Sequence, residues 1–177
     1  MTKRMIIGRD GETECIRQLE QRGWLVEVLN THRPNTPNAD LISEKAGLRR
    51  TIQVKASRKP KGYVTGGGVN PKIVAGGPIF NRVATVRACE FVIFLATENG
   101  DWRHFVVPVA QAEEVFRRNI ESYFKTPRLD GGLKKQFGQA DIFVGSGAFP
   151  HGRIVPDQRA ELLHYENQWD LLEHRNG

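Results

Sequence analysis

The chain has 177 residues, of which 39% are hydrophobic and 26% charged; this composition fits one globular domain with a real core and excludes a disordered or fibrous chain. No apolar run approaches the ~20 residues of a membrane span, so no membrane partner is expected. The net charge is +6, and residues 155–177, with five acids and two bases, carry −3; the remaining +9 lies on residues 1–154 and points to a polyanionic partner for that body.

Residues 1–7 read as a short basic lead-in. The spacing of Glu12, Ile16, Leu19 and Gly23 predicts a helix over 8–22 with these residues on one face, Glu14, Arg17 and Gln21 turned away, and Gly23 as its stop. Residues 24–29, with Leu25, Val26 and Val28, read as a strand, and 31–38, broken by Pro34 and Pro37, as a loop. A β-hairpin follows over 39–57, its turn at 44–48 containing Gly47. In its second strand Ile52, Val54 and Ala56 alternate with Gln53 and Lys55, so the amide and the ammonium share one face.

Residues 58–78 combine Gly62, Gly66, Gly67, Gly68, Gly76 and Gly77 with three prolines and the cations Arg58, Lys59, Lys61 and Lys72. That composition excludes a regular helix. It reads as a basic arm that orders on a polyanion, or as an ordinary surface hairpin or loop. The consecutive glycines lack a following Gly-Lys-Ser/Thr, which excludes a nucleotide-binding P-loop. Residues 91–96 read as a central strand, Asn99-Gly100 as a turn, 102–107 as a second strand, and 108–124 as a helix with Val115, Phe116, Ile120 and Phe124 on one side. Residues 125–139 form a basic loop with Arg128, Lys134 and Lys135, and 141–144 a short strand. Residues 159–174 read as a helix burying Leu162, Leu163, Trp169 and Leu172. The order predicts an α/β (α+β) domain with a mixed sheet over 1–154 and an acidic helical tail, 155–177, packed on it.

The chemistry gathers on the hairpin. Asp40 at the head of its first strand and Gln53 on its second offer oxygens that a hard cation such as Mg²⁺ accepts; with the Val54 backbone carbonyl and a phosphate oxygen they suit a metal sphere. Lys55 beside them suits stabilising charge on a phosphate, or orienting or deprotonating a water. Glu12 is the fourth candidate, because a carboxylate on the apolar face of a helix needs a partner. Glu14 points about 200° away on a helical wheel and is the poorer choice. Each residue also has an ordinary use: Asp at a strand start, a solvated strand face, an acid in a first helical turn. The histidines, including His32 and His151, form no cluster, and no His-x-x-x-His or Cys-x-x-Cys spacing argues for zinc. Cys15 and Cys89 sit in apolar patterns and read as reduced residues of a cytoplasmic protein, and no apolar leader is evident near Met1.

Taken together, Gly8-Arg9-Asp10-Gly11-Glu12, Pro37-Asn38-Ala39-Asp40-Leu41-Ile42 and Ile52-Gln53-Val54-Lys55-Ala56-Ser57 resemble the three motifs of the PD-(D/E)xK nuclease superfamily: a helix glutamate, a strand aspartate and an acidic-x-Lys strand. The first motif, with Ile16, Leu19 and Gly23-Trp24 after it, is similar in spacing to the Holliday-junction-resolvase branch. The likeness covers residues 8–57. It implies a restriction-endonuclease-like mixed sheet flanked by helices, Mg²⁺ or Mn²⁺ as cofactor, and DNA as partner. It implies a metal-dependent endonuclease of the restriction or homing type, with a structure-selective resolvase or a catalytically silent DNA-binding module as alternatives. Cutting two strands with one small domain implies a homodimer. One position departs from the pattern: Gln53 stands where the family carries Asp or Glu, as it does in some homing and restriction endonucleases, and a neutral amide binds metal more weakly. DNA contacts are expected from Arg49, Arg50, Ser57, Arg58, Lys59, Lys61, Lys72, Lys134 and Lys135.

Overall fold

The structure, a computed structural model, describes residues 3–29, 39–58, 63–67, 72–74, 77–79, 89–125, 131, 140–143 and 158–174. Helix α1 spans Lys3–Gln21, so the lead-in belongs to the helix; nothing in Lys3 to Ile7 breaks one. It stops in a left-handed cap at Gly23, φ 81°. There the Gly23 N–H donates to the Glu20 carbonyl at 2.9 Å and the Trp24 N–H to the Leu19 carbonyl at 3.1 Å. Trp24 and Leu19 close over the cap inside the core, which satisfies the last carbonyls and buries the exit of the helix together.

The main sheet contains β1 (Leu25–Val28), β2 (Leu41–Lys45), β3 (Leu48–Ser57), β7 (Phe91–Glu98) and β8 (Asp101–Pro108), in the order β1-β2-β3-β7-β8. Strands β3 and β7 are parallel, and the other neighbours are antiparallel. Two-residue turns set both hairpins. Ala46 and Gly47 have φ of 48° and 77°, and Asn99 and Gly100 have φ of 53° and 94°. Positive φ at both central positions gives the turn whose twist matches that of the strands.

Residues 58–78 are not an unbroken arm. They contribute β4 (Tyr63–Gly67) and β5 (Lys72–Val74), and β6 (Gly77–Ile79) begins within them. β4 pairs antiparallel with β9 (Ala140–Phe143), and β5 with β6. The β-formers Tyr63, Val64, Thr65, Ile73 and Val74 carry a strand preference that the glycine content hides.

Helix α1 covers one face of the sheet and helix α2 (Val109–Lys125) the other. On the α1 face Cys15, Leu19 and Trp24 pack with Ile52, Val54, Ile93, Leu95 and Val106. On the α2 face Val92, Phe94, Phe105 and Val107 meet Val115 and Phe116, with the Phe94 and Phe116 rings edge to face at 6.1 Å. No helix among the described residues is long and apolar enough to cross a membrane.

The tail is two pieces rather than one helix. α3 (Gln158–Leu163) ends in a turn with Asn167 at φ 56°, and a 3₁₀ turn follows at Trp169–Glu173. Leu162 packs on the α2 face, whereas Trp169 and Leu172 pack on the α1 face. A straight helix cannot reach both faces, so the chain passes round the β8 edge. There the Val106 N–H donates to the Tyr165 carbonyl and the Asn167 N–H to the His104 carbonyl, at 3.0 and 2.8 Å. Those bonds occupy an edge that otherwise offers unpaired backbone groups. Leu163, expected inside, is 40% exposed because the turn releases it.

Candidate active site

Strand β2 stops before β3 does. Its first residue, Leu41, pairs with Ile52. Just beyond, the Asp40 N–H donates to the Ile52 carbonyl and the Asp40 carbonyl accepts from the Leu29 N–H, both at 2.9 Å. From Gln53 to Ser57, β3 continues with β7 as its ladder partner on the other side. The backbone on the vacated side still needs partners. Asp40 Oδ2 supplies one, accepting the Val54 N–H at 2.7 Å. In a strand the N–H and C=O of one residue turn to the same edge, so the Val54 carbonyl also faces this notch.

Helix α1 lies across the same end of β3, with Gly11 buried against Ala56. Glu12 follows directly. Burial, and then the charge of Asp40, raise its pKa above the ordinary carboxylate value, against the opposing pull of Lys55 and Arg9. The notch therefore brings together Glu12 from the helix, Asp40 from the end of β2 and Lys55 from β3. Gln53 is 7% exposed, so the strand face it shares with Lys55 is covered and not a solvated one. Its Oε1 is buried without a hydrogen-bond partner among the described residues. Burying such an oxygen costs about 1–3 kcal/mol, which a cation within its reach would offset.

No group of three or more His, Cys, Asp or Glu side chains among the described residues is placed to hold a metal. Two carboxylates, an amide oxygen and a backbone carbonyl nevertheless fit a cation that takes oxygen ligands and keeps several waters. Both cysteines are inert here. Cys15 is fully buried and its pKa is raised by that burial, and the Cys89 thiol, close to Gln53, is pushed up to about 11, mainly by burial.

The chain shares its fold with a bacterial homing endonuclease. The solved structure of that enzyme, I-Ssp6803I, matches 97% of this chain and 93% of its own, with a TM-score of 0.53 and 14% sequence identity. At that identity the likeness shows the fold alone, a mixed sheet with flanking helices. No protein-family profile and no curated protein matches the chain.

On that fold the expected DNA contacts divide. Arg49 is exposed and pairs with Glu44 across the hairpin at 3.4 Å. Arg58 is half-exposed, paired with Asp10 at 2.9 Å and stacked on the Trp102 ring at 5.1 Å. Arg50 has a different role. It is 7% exposed, and its guanidinium donates to the Leu172 and His174 carbonyls at 2.9 and 2.6 Å and to Glu90 at 2.9 Å. A guanidinium committed in this way anchors the tail and is withdrawn from the DNA-contact set. Ser57 is buried at the end of β3. Lys72 lies on β5, while Lys59, Lys61, Lys134, Lys135, His32 and His151 fall outside the described residues.

Three features escaped the sequence reading. Gly11 gives no signal without knowledge of Ala56 opposite it. Glu14 does turn away from the notch, but onto the sheet. Hydrogen bonds from Arg17 above all, helped by Gln18 and His104 and opposed by burial, hold its pKa down to about 2. His104, on β8, meets Glu14 Oε1 at 2.9 Å; burial first, with the charges of Arg22 and Arg17, lowers its pKa against the opposing pull of Glu14.

Proposed function

We propose that this protein is a divalent-metal-dependent DNA endonuclease of the PD-(D/E)xK kind, with Gln53 in the acidic position, cutting at specific sites in the manner of a restriction or homing enzyme. The observation that carries the reading is the notch where β2 ends, with two carboxylates and a lysine, on a strand whose buried Gln53 oxygen has no hydrogen-bond partner among the described residues. The fold shared with a homing endonuclease supports it.

Asp40, Gln53 Oε1, the Val54 carbonyl and Glu12 are the residues that would hold Mg²⁺ or Mn²⁺, which when bound supplies a Lewis acid at the phosphodiester. Asp40 holds its carboxylate in register through the Val54 N–H, so one residue fixes both the end of the strand and a ligand oxygen. Lys55 presents an ammonium on the same strand, where it stabilises charge developing on the phosphate or orients the attacking water. Arg58, with Trp102 behind it, presents a preoriented guanidinium to the DNA backbone. Two copies, one per strand, would make both cuts.

Supercoiled and branched DNA incubated with the protein and Mg²⁺, Mn²⁺ or EDTA, beside Lys55→Ala and Asp40→Asn, tests this. Metal-dependent cutting that both variants lose supports the nuclease, and the preferred substrate separates site-specific from structure-selective action. Gln53 itself favours one second reading, a DNA-binding module that has lost catalysis. That reading requires equal DNA affinity with Mg²⁺ and with EDTA, and no cutting of any substrate.

A further inference from the structure

We infer that Gly11 is a positioning residue: its missing side chain lets α1 seat on Ala56 of β3, and this seat delivers Glu12 to the notch. The inference rests on the metal-site reading above and adds to it what sets the site's third corner. A methyl group at position 11 would stand 2.2 Å from the Ala56 Cβ. Apolar carbons pack at about 3.5–4.0 Å, so helix or strand would have to withdraw by about 1.5 Å. The neighbour that would be struck is a short side chain rooted on a central strand and cannot swing aside.

The contact is bracketed on both sides. Asp10 reaches Arg58 at 2.9 Å, and Glu12 is within electrostatic reach of Asp40 and Lys55. Three successive helix residues thus address the C-terminal end of β3 and the residue after it: one latches, one seats and one enters the notch. Of the three, the latch is exposed at both partners, whereas Gly11 is buried. The register of Glu12 is therefore set by the seat. By comparison, Gly8 of the same helix meets nothing within 4 Å and sets nothing.

The test titrates Mn²⁺ alone into the full chain, followed by calorimetry or by loss of the free Mn²⁺ spin-resonance signal. Gly11→Ala is expected to weaken Mn²⁺ binding by roughly tenfold or more, as displaced ligand-positioning groups do. The double variant Gly11→Ala/Ala56→Gly, which moves the methyl group from strand to helix, is expected to recover most of the loss. Metal-free melting of each variant reports packing separately from ligand placement. Equal Mn²⁺ affinity in wild type and Gly11→Ala overturns the inference while leaving the metal site standing. Should Gly11→Ala fail to fold, the double variant decides: one that folds and binds supports the seat, and one that stays unfolded or folds without binding overturns it. A wild-type chain that takes up no Mn²⁺ removes the metal-site reading and the inference with it.

Discussion

A carboxylate on the packed face of a helix loses water on folding, and Glu12 loses it beside a second carboxylate. Its raised pKa means that the folded chain holds the Glu12 proton more tightly than the unfolded chain does. Ionised Glu12 therefore weighs against folding at neutral pH, and the penalty vanishes below about pH 4.5, where both states are protonated. Glu12→Gln is expected to melt roughly 1–3 °C above wild type at pH 7 in EDTA, and to converge with it by about pH 4. Mn²⁺ should raise the wild-type midpoint and leave that of the variant nearly unmoved, since a ligand stabilises only the state that binds it. Melting curves that rank the two proteins the other way at pH 7 would show that the notch does not strain Glu12. Glu14, one half-turn along, behaves oppositely. Its pKa is held at about 2, so its contribution is complete above pH 4.5 and is lost as the pH falls from there to about 2. Glu14→Gln should flatten the acid limb of the stability curve over that window.

At the scale of elements, β3 divides its cations between structure and surface. Arg50 and Arg58 look alike in the sequence, two arginines at either end of one strand. Arg50→Ala leaves the Leu172 and His174 carbonyls and part of Glu90 without their donor, and should cost roughly 2–4 kcal/mol in denaturant unfolding. Arg58→Ala removes an exposed ion pair and an exposed stack on Trp102, each worth at most about 1 kcal/mol. It should instead lower DNA affinity and reduce the salt slope by about one unit. The turn before β3 offers a gain: Ala46 sits at φ 48°, where a β-carbon is strained. Ala46→Asn should add roughly 0.5–1 kcal/mol, measured as a shift in the unfolding midpoint without a change in slope. The hairpin was legible in the sequence because a two-residue turn and strict alternation are local signals. The helix stop at Gly23 was legible for the same reason. The notch was legible only in part. Asp40, Gln53 and Lys55 lie on the hairpin, but the burial of Gln53 depends on tertiary packing around β3 that the local alternation does not encode. The role of Arg50 depends on a segment at the far end of the chain, and no local pattern announces such a partner.

At the scale of the molecule, charge alone offers a tempting account of the tail, as an acidic cover over a basic body. Packing argues otherwise. The tail rounds the β8 edge, places Leu162 in one layer and Trp169 and Leu172 in the other, each at most 2% exposed, and receives the Arg50 hydrogen bonds. Three of its five acids are engaged: Glu166 with Arg103 at 2.7 Å, Glu173 with Lys45 at 2.5 Å, and Glu161 with Arg118. Burying each large apolar side chain contributes roughly 1.5–3 kcal/mol, against a net stability of about 5–15 kcal/mol for a whole domain. Ending the chain after Leu163 would expose the sites of Trp169 and Leu172, strand the Arg50 guanidinium in the core and reopen the β8 edge. The truncated chain should therefore lose its cooperative melting transition, followed by circular dichroism at 222 nm, and with it the DNA binding proposed above. A removable cover predicts the reverse: a truncated chain that melts like wild type and binds DNA more tightly at low salt. The two accounts part on one melting curve, because repulsion between acids and DNA can be deleted without unfolding, whereas the buried anchors Trp169 and Leu172 cannot.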